Sequence, residues 1–217
     1  MRWLLLALIS GLVFIYGLYI DSTTLRLLTK GLPVIAFIFW LSAAPAGTYR
    51  RWISLGLLFG LGGDILLDIP EAHLANQFVF GLGSFLIGHL AYMRAYTSDT
   101  RRFAPLGLLF AAICGGSMLA VLNSSPEGLG PLFAPVALYA LVISCMLWRA
   151  IARMGVAGIP RDSALLAAGG ALLFVISDAM IGINRFVQPF DAAPYAIIIT
   201  YWLGQFGIAA SAMRRNA

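Results

Sequence analysis

Two aspartates stand inside apolar sequence, Asp64 in "GLLFGLGGDILLD" and Asp178 in "GALLFVISDAMIG". A charge at the centre of a bilayer costs about 3 kcal/mol or more, so such residues usually face a bundle interior and carry function. The two stretches are alike. In each, a Gly lies eight residues before the Asp, Leu-Leu-Phe lies between, and a small residue (Gly63 or Ser177) precedes the acid. His89, in "GLGSFLIGHLAYMRAY", is three residues from Tyr92 and shares a helical face with it. Tyr201 and Gln205 form an i, i+4 pair in "YAIIITYWLGQFGIAA". Lys30, Ser177, Asn184 and Arg185 complete the polar set.

Two carboxyl groups beside a histidine suit acid–base work, because unlike surroundings let one keep its proton while the other ionises. Other chemistries find less support. No G-x-S-x-G occurs, and no Ser or Cys has a base beside it in the sequence. Of the two histidines, His73 falls in a loop, so no metal set and no cofactor is expected. No Walker or dinucleotide glycine pattern appears. Intramembrane aspartyl proteases also use two acids on two helices. They require Tyr-Asp and Gly-x-Gly-Asp, where this chain has Ser177-Asp178 and Leu61-Gly62-Gly63-Asp64. A small proton-coupled lipid or solute transporter is the alternative from another class, since it too uses midplane acids and repeated halves. A structural or assembly factor is the third reading.

The elements that must position these residues are membrane helices. Of 217 residues, 61% are apolar and 11% charged, against roughly a quarter charged in soluble domains. The fold class is all-α, a single polytopic bundle over residues 1–217. Eight spans are expected, at about 3–20, 26–45, 52–69, 78–96, 104–122, 131–152, 163–184 and 194–213. Pro33, Pro105 and Pro194 fall near helix starts, where a missing N–H is tolerated. The first span is long enough to cross and lacks a small-x-small cleavage site, so it reads as retained rather than as a signal peptide. Cys114 and Cys145 sit in apolar runs and read as packing residues.

Placing the N-terminus inside puts Arg2, Arg50, Arg51, Arg94, Arg101, Arg102, Arg149, Arg153, Arg161, Arg214 and Arg215 on one side. Only Arg26, Lys30 and Arg185 remain on the other, which accounts for all 14 bases. This asymmetry supports eight spans with both termini cytoplasmic, the expected host being a bacterial inner membrane. The net charge of +5 therefore reports orientation, and no nucleic-acid partner is expected. Asp21, Glu71, Glu127 and Asp191 fall in outside loops, and Asp99 and Asp162 in inside loops. Asp64, Asp68 and Asp178 lie within the spans. Asp68 reads first as interfacial, with a place in the site as the second reading.

The third and seventh spans are four apart and so run in the same direction. At 1.5 Å per residue, Asp64 and Asp178 lie roughly 18–22 Å from the inner ends of those spans. Two parallel four-helix repeats would relate the acids across an axis normal to the membrane. Gly56, Gly60, Gly62 and Gly63 allow close approach of a neighbour and turn Asp64 inward.

"GLLFGLGGDILL", "FGLGSFLIGHLAY", "GALLFVISDAMIGINRF" and "TYWLGQFGIAA" resemble the successive motifs of the YhhN family of membrane proteins. The order is Gly-Asp, His-x-x-Tyr, Ser-Asp with a following Arg-Phe, and Tyr-x-x-x-Gln. Lys30 with Pro33 resembles the family's Lys-Pro-Leu-Pro, with Gly31 in place of the first Pro. The resemblance covers almost the whole chain. It implies hydrolysis of the vinyl ether bond of a lysophospholipid (a lysoplasmalogen) drawn from the bilayer. In that expectation Asp64 and Asp178 are the catalytic pair, and His89 or Tyr92 positions water or shares the proton. Lys30 and Arg185 meet the phosphate, and Ser177, Asn184, Tyr201 and Gln205 line the substrate site.

Overall fold

The computed structural model describes residues 2–69, 73–124 and 128–215, and these contain helices and no strands. Glu71 and Glu127 lie outside the described residues. The α-helices are α1 (Arg2–Tyr19), α2 (Thr23–Thr29), α3 (Leu32–Leu41), α4 (Thr48–Asp68), α5 (Gln77–Asp99), α6 (Pro105–Asn123), α7 (Phe133–Ile151), α8 (Arg161–Gly182) and α9 (Ala193–Met213). A 3-10 turn, Gly130–Leu132, leads into α7, and a π turn, Ile183–Val187, closes α8.

These elements make eight spans, with α2 and α3 together forming the second. Seven are long and apolar enough to cross a membrane. The other, α4, has 21 residues but carries Arg50, Arg51, Asp64 and Asp68. The protein is thus a multi-pass membrane bundle. Leu5, Leu8, Leu12, Leu106 and Leu141 point outward, as a lipid-facing belt requires.

The second span differs from the unbroken 26–45 helix expected. It breaks at Lys30-Gly31, and α3 ends at Leu41. Pro33 is the cause: it has no N–H to return to the Thr29 carbonyl and its ring crowds that turn. The break brings Lys30 into the bundle. Asp99, expected in a loop, is the last residue of α5 and is buried.

Helix pairing repeats with an offset of four spans. The intimate α4–α5 hairpin has its counterpart in α8–α9, and α1–α3 in α6–α7. Likewise α5 packs on α7 as α9 packs on α3, and α7 on α8 as α3 on α4. Glycines set both close hairpins. A Cβ on Gly88 would lie 3.1 Å from the Gly56 carbonyl oxygen, and one on Gly170 would lie 2.7 Å from that of Gly204.

The arginine-rich end is tied by a buried charge cluster. Asp99 meets Arg153 at 2.9 Å and Arg215 at 2.5 Å. Arg153 is fully buried, donates to Ser163 Oγ at 2.8 Å, and lies over the Tyr49 ring at 4.6 Å. The ends of α4, α5, α8 and α9 are joined there.

Candidate active site

Asp64 is the seventeenth residue of α4 and Asp178 the eighteenth of α8. Both therefore lie about 25 Å along parallel helices. Both line one cavity of about 470 Å³, together with Lys30, Asp68, Asn184 and Tyr201.

The two acids have unlike partners. Lys30 Nζ lies 3.1 Å from Asp64 Oδ1 and 2.7 Å from Asp68 Oδ1, and it donates to the Asp64 carbonyl oxygen at 3.3 Å. The helix break at Lys30 makes this reach possible, and Asp68, though on the exposed side, joins the site through it. Asp64 Oδ2 is buried without a hydrogen-bond partner.

Asp178 Oδ2 accepts a hydrogen bond from Tyr139 Oη. His89 Nε2 lies 2.8 Å from the same hydroxyl and 3.6 Å from Asp178 Oδ2. With the Tyr139 hydrogen committed to Asp178, Nε2 of His89 is the donor to the Tyr139 oxygen. The other ring nitrogen, Nδ1, is buried without a partner. The imidazole has no exposed surface and packs edge-on against Phe174 at 4.7 Å.

His89 and Tyr92 share a face of α5, but they engage different neighbours. Tyr92 Oη donates to Gln205 Oε1 at 2.5 Å, and Gln205 Nε2 donates to Tyr201 Oη at 3.2 Å. The α4 glycines make room for this chain. A Cβ on Gly56 would stand 2.1 Å from the Tyr92 ring, and one on Gly60 would stand 2.3 Å from Gln205 Nε2. Of these three polar residues, Tyr201 reaches the cavity wall.

Ser177 Oγ donates to the Ile197 carbonyl at 3.0 Å, locking α8 to α9 beside Asp178. Asn184, in the π turn, accepts from Phe190 N at 3.2 Å. Arg185 is not brought to the cavity. Its guanidinium lies over the Phe78 ring at 4.2 Å. The second base on the cavity wall is Arg26, which pairs with the exposed Asp21 at 3.5 Å.

Tyr139 and Arg26 were not among the residues expected from sequence. Tyr139 is a single hydroxyl in the otherwise apolar "FAPVALYALVI", a pattern that reads as core packing. Among the described residues, no three His, Cys, Asp or Glu side chains converge as a metal ion would require.

The sequence matches the YhhN family over residues 25–212. It is similar to the human protein Lysoplasmalogenase TMEM86B, with 34% identity over 98% of this chain and 87% of that protein. It is 36% identical to Lysoplasmalogenase from Mycobacterium tuberculosis (strain CDC 1551 / Oshkosh) over 77% of this chain and 62% of that protein. A third relative, human Lysoplasmalogenase TMEM86A, is 33% identical over 80% of this chain and 69% of that protein. No solved structure gives a significant match.

Proposed function

The chain belongs to the YhhN family, and we propose that it is a lysoplasmalogenase, a membrane hydrolase that cleaves the vinyl ether bond of a lysoplasmalogen. The products are a fatty aldehyde and a glycerophospho-ethanolamine or -choline. Relatives 33 to 36% identical bear the name lysoplasmalogenase. One structural observation carries the reading: Asp64 and Asp178 face a single cavity inside the bundle, each with its own kind of partner.

Hydrolysis of R–O–CH=CH–R′ begins when an acid adds a proton to the carbon distal to oxygen. The double-bond electrons form the new C–H bond, and an oxygen lone pair shares the resulting charge as an oxocarbenium ion. Water adds to the carbon next to oxygen and gives a proton to a carboxylate. The hemiacetal then collapses: its hydroxyl loses a proton, the glycerol oxygen gains one, the C–O bond breaks, and the aldehyde leaves. An acid and a second carboxylate flanking an oxocarbenium ion is also the arrangement of glycoside hydrolysis.

Asp178 serves as the proton donor in this scheme, oriented by the Tyr139 hydroxyl. Asp64, fixed by the Lys30 ammonium, faces the developing positive charge, and its unpartnered Oδ2 receives the proton from water. His89 is wholly buried and acts through Tyr139, as a positioning residue. Tyr92 acts likewise through Gln205 on Tyr201. Lys30 and Arg26 offer charge to a phosphate, while Asp68 offers a carboxylate to an ammonium headgroup. A zwitterionic headgroup matches that mixture. We assign both termini to the cytoplasmic side on the distribution of the bases, and propose a bacterial inner membrane as the host.

The test is aldehyde release by purified protein in detergent, comparing a 1-alkenyl lysophospholipid with its saturated 1-alkyl analogue. Aldehyde is expected from the vinyl ether alone, with a loss of about 100-fold or more in Asp178→Asn. Absence of aldehyde from every vinyl ether lipid overturns the reading, and lipid flux in sealed vesicles would then be measured.

A further inference from the structure

A second cavity, of about 300 Å³, lies among α5, α6, α7 and α8. Its wall is largely apolar, with Leu82, Met118, Val136, Ile143, Leu172 and Val175 prominent. The serine hydroxyls on that wall are satisfied within their own helices, and the Tyr139 hydroxyl is taken up by Asp178. Ser144 Oγ donates to the Ala140 carbonyl at 2.6 Å, and Ser117 Oγ to that of Cys114 at 3.2 Å. Near one end α6 and α7 close together, since a Cβ on Gly115 would stand 2.0 Å from Ser144 Oγ.

This chamber and the polar cavity have common walls. Leu67, Phe85, Asp178 and Ile181 border both, and Asp178 is the one ionisable side chain they share. On one side of Asp178 stand Lys30, Asp64, Asp68 and Arg26, and on the other side hydrocarbon.

Resting on the lysoplasmalogenase reading, we infer that the apolar chamber receives the alkenyl chain of the substrate and sets its chain-length preference. A single-chain ether lipid changes from polar to apolar at its ether oxygen, which is the bond to be cleaved. The cavities change in the same way at Asp178. Seating the headgroup in the polar cavity and the chain in the apolar one brings the vinyl carbons to the carboxyl group, where proton transfer requires contact distance. A wall that is largely hydrocarbon favours a methylene chain over water. Ala140 and Ile143 on α7 act as specificity residues, touching the chain and not the reacting carbons.

Two measurements test this. The first is the ratio of turnover on hexadecenyl to octenyl lysoplasmalogen. Ala140→Leu narrows the chamber and lowers that ratio by about tenfold, whereas Ile143→Ala widens it and does not lower the ratio. The second uses the unaltered chain in nanodiscs and needs no turnover. Cys114 lies on the chamber wall and Cys145 does not, so alkylation by N-ethylmaleimide is followed at each by peptide mass. A saturated 1-alkyl lysophospholipid should slow Cys114 several-fold relative to Cys145, and glycerophosphoethanolamine should not. Equal alkylation of Cys114 with and without the alkyl lipid, or a turnover ratio that Ala140→Leu leaves in place, overturns the inference. Failure of the lysoplasmalogenase reading looks different: no aldehyde forms from either substrate, whatever happens at Cys114.

Discussion

Tyr139 donates its hydroxyl hydrogen to Asp178 from the span preceding that acid, just as Lys30 reaches Asp64 from the span preceding it. Each half of the bundle thus supplies one carboxyl group and one partner for it. The partners differ in kind, an ammonium in one half and a hydroxyl backed by imidazole in the other. That difference gives two similar helices acids in unlike surroundings.

Tyr139→Phe keeps the ring against His89 and removes the donor. The turnover rate for aldehyde release should fall about 10- to 100-fold, with little change in KM, and the melting temperature should drop modestly because the buried His89 Nε2 loses its acceptor. A variant as fast as the parent would show that Asp178 needs no orientation from Tyr139.

Lys30→Met leaves Asp64 in the bundle without its cation. Breaking a buried pair by removing one partner costs about 3–5 kcal/mol, so the melting temperature in detergent should drop clearly. Adding Asp64→Asn to Lys30→Met should recover much of the loss, because the uncompensated charge is gone. Equal melting temperatures for all three proteins would count against a structural part for this ion pair.

Gly56→Ala drives a methyl group toward the Tyr92 ring, where an ideal Cβ stands at 2.1 Å. Overpacking of this kind costs about 1–3 kcal/mol, and displacing Tyr92 should also disturb Gln205 and Tyr201. Gly116→Ala is the control. It lies in α6 with nothing within 4 Å of its added Cβ, so it should be neutral or stabilising by up to about 1 kcal/mol.

Asp99→Asn strips the carboxylate from between Arg153 and Arg215, leaving Arg153 buried without its counter-charge. A stability loss of about 3–5 kcal/mol is expected. Activity per folded molecule should hold, since this cluster lies at the far end of the helices from the cavity. Thermal unfolding and aldehyde release on the same preparation separate the two effects.

Much of this was legible in the sequence, and the rest has physical reasons for being hidden. Eight apolar runs and the one-sided bases point to the eight spans, because bilayer thickness and charge placement act directly on composition. The matching frames of Asp64 and Asp178 point to similar depth, because helical rise is regular. Lys30 was harder to place. Pro33 breaks the helix locally, but whether the broken end turns Lys30 outward or inward is settled by tertiary packing. Tyr139 was invisible because one hydroxyl on an apolar helix gains meaning only when α5 and α8 close around it. Arg185 shows the converse: its charge and position suit a phosphate, yet the Phe78 face captures the guanidinium.

The two chambers on either side of Asp178 bear on how the reaction ends. On the proposed scheme, cleavage there would sever the molecule at the boundary between them, so each product would be left in a compartment that suits it. The long-chain aldehyde would stand against hydrocarbon and partition into the bilayer. The glycerophospho alcohol stands among charges and dissolves into water. Once each has partitioned into its own phase, the two no longer meet at working concentrations. On that scheme, partitioning of the two products into different phases would itself oppose the reverse reaction.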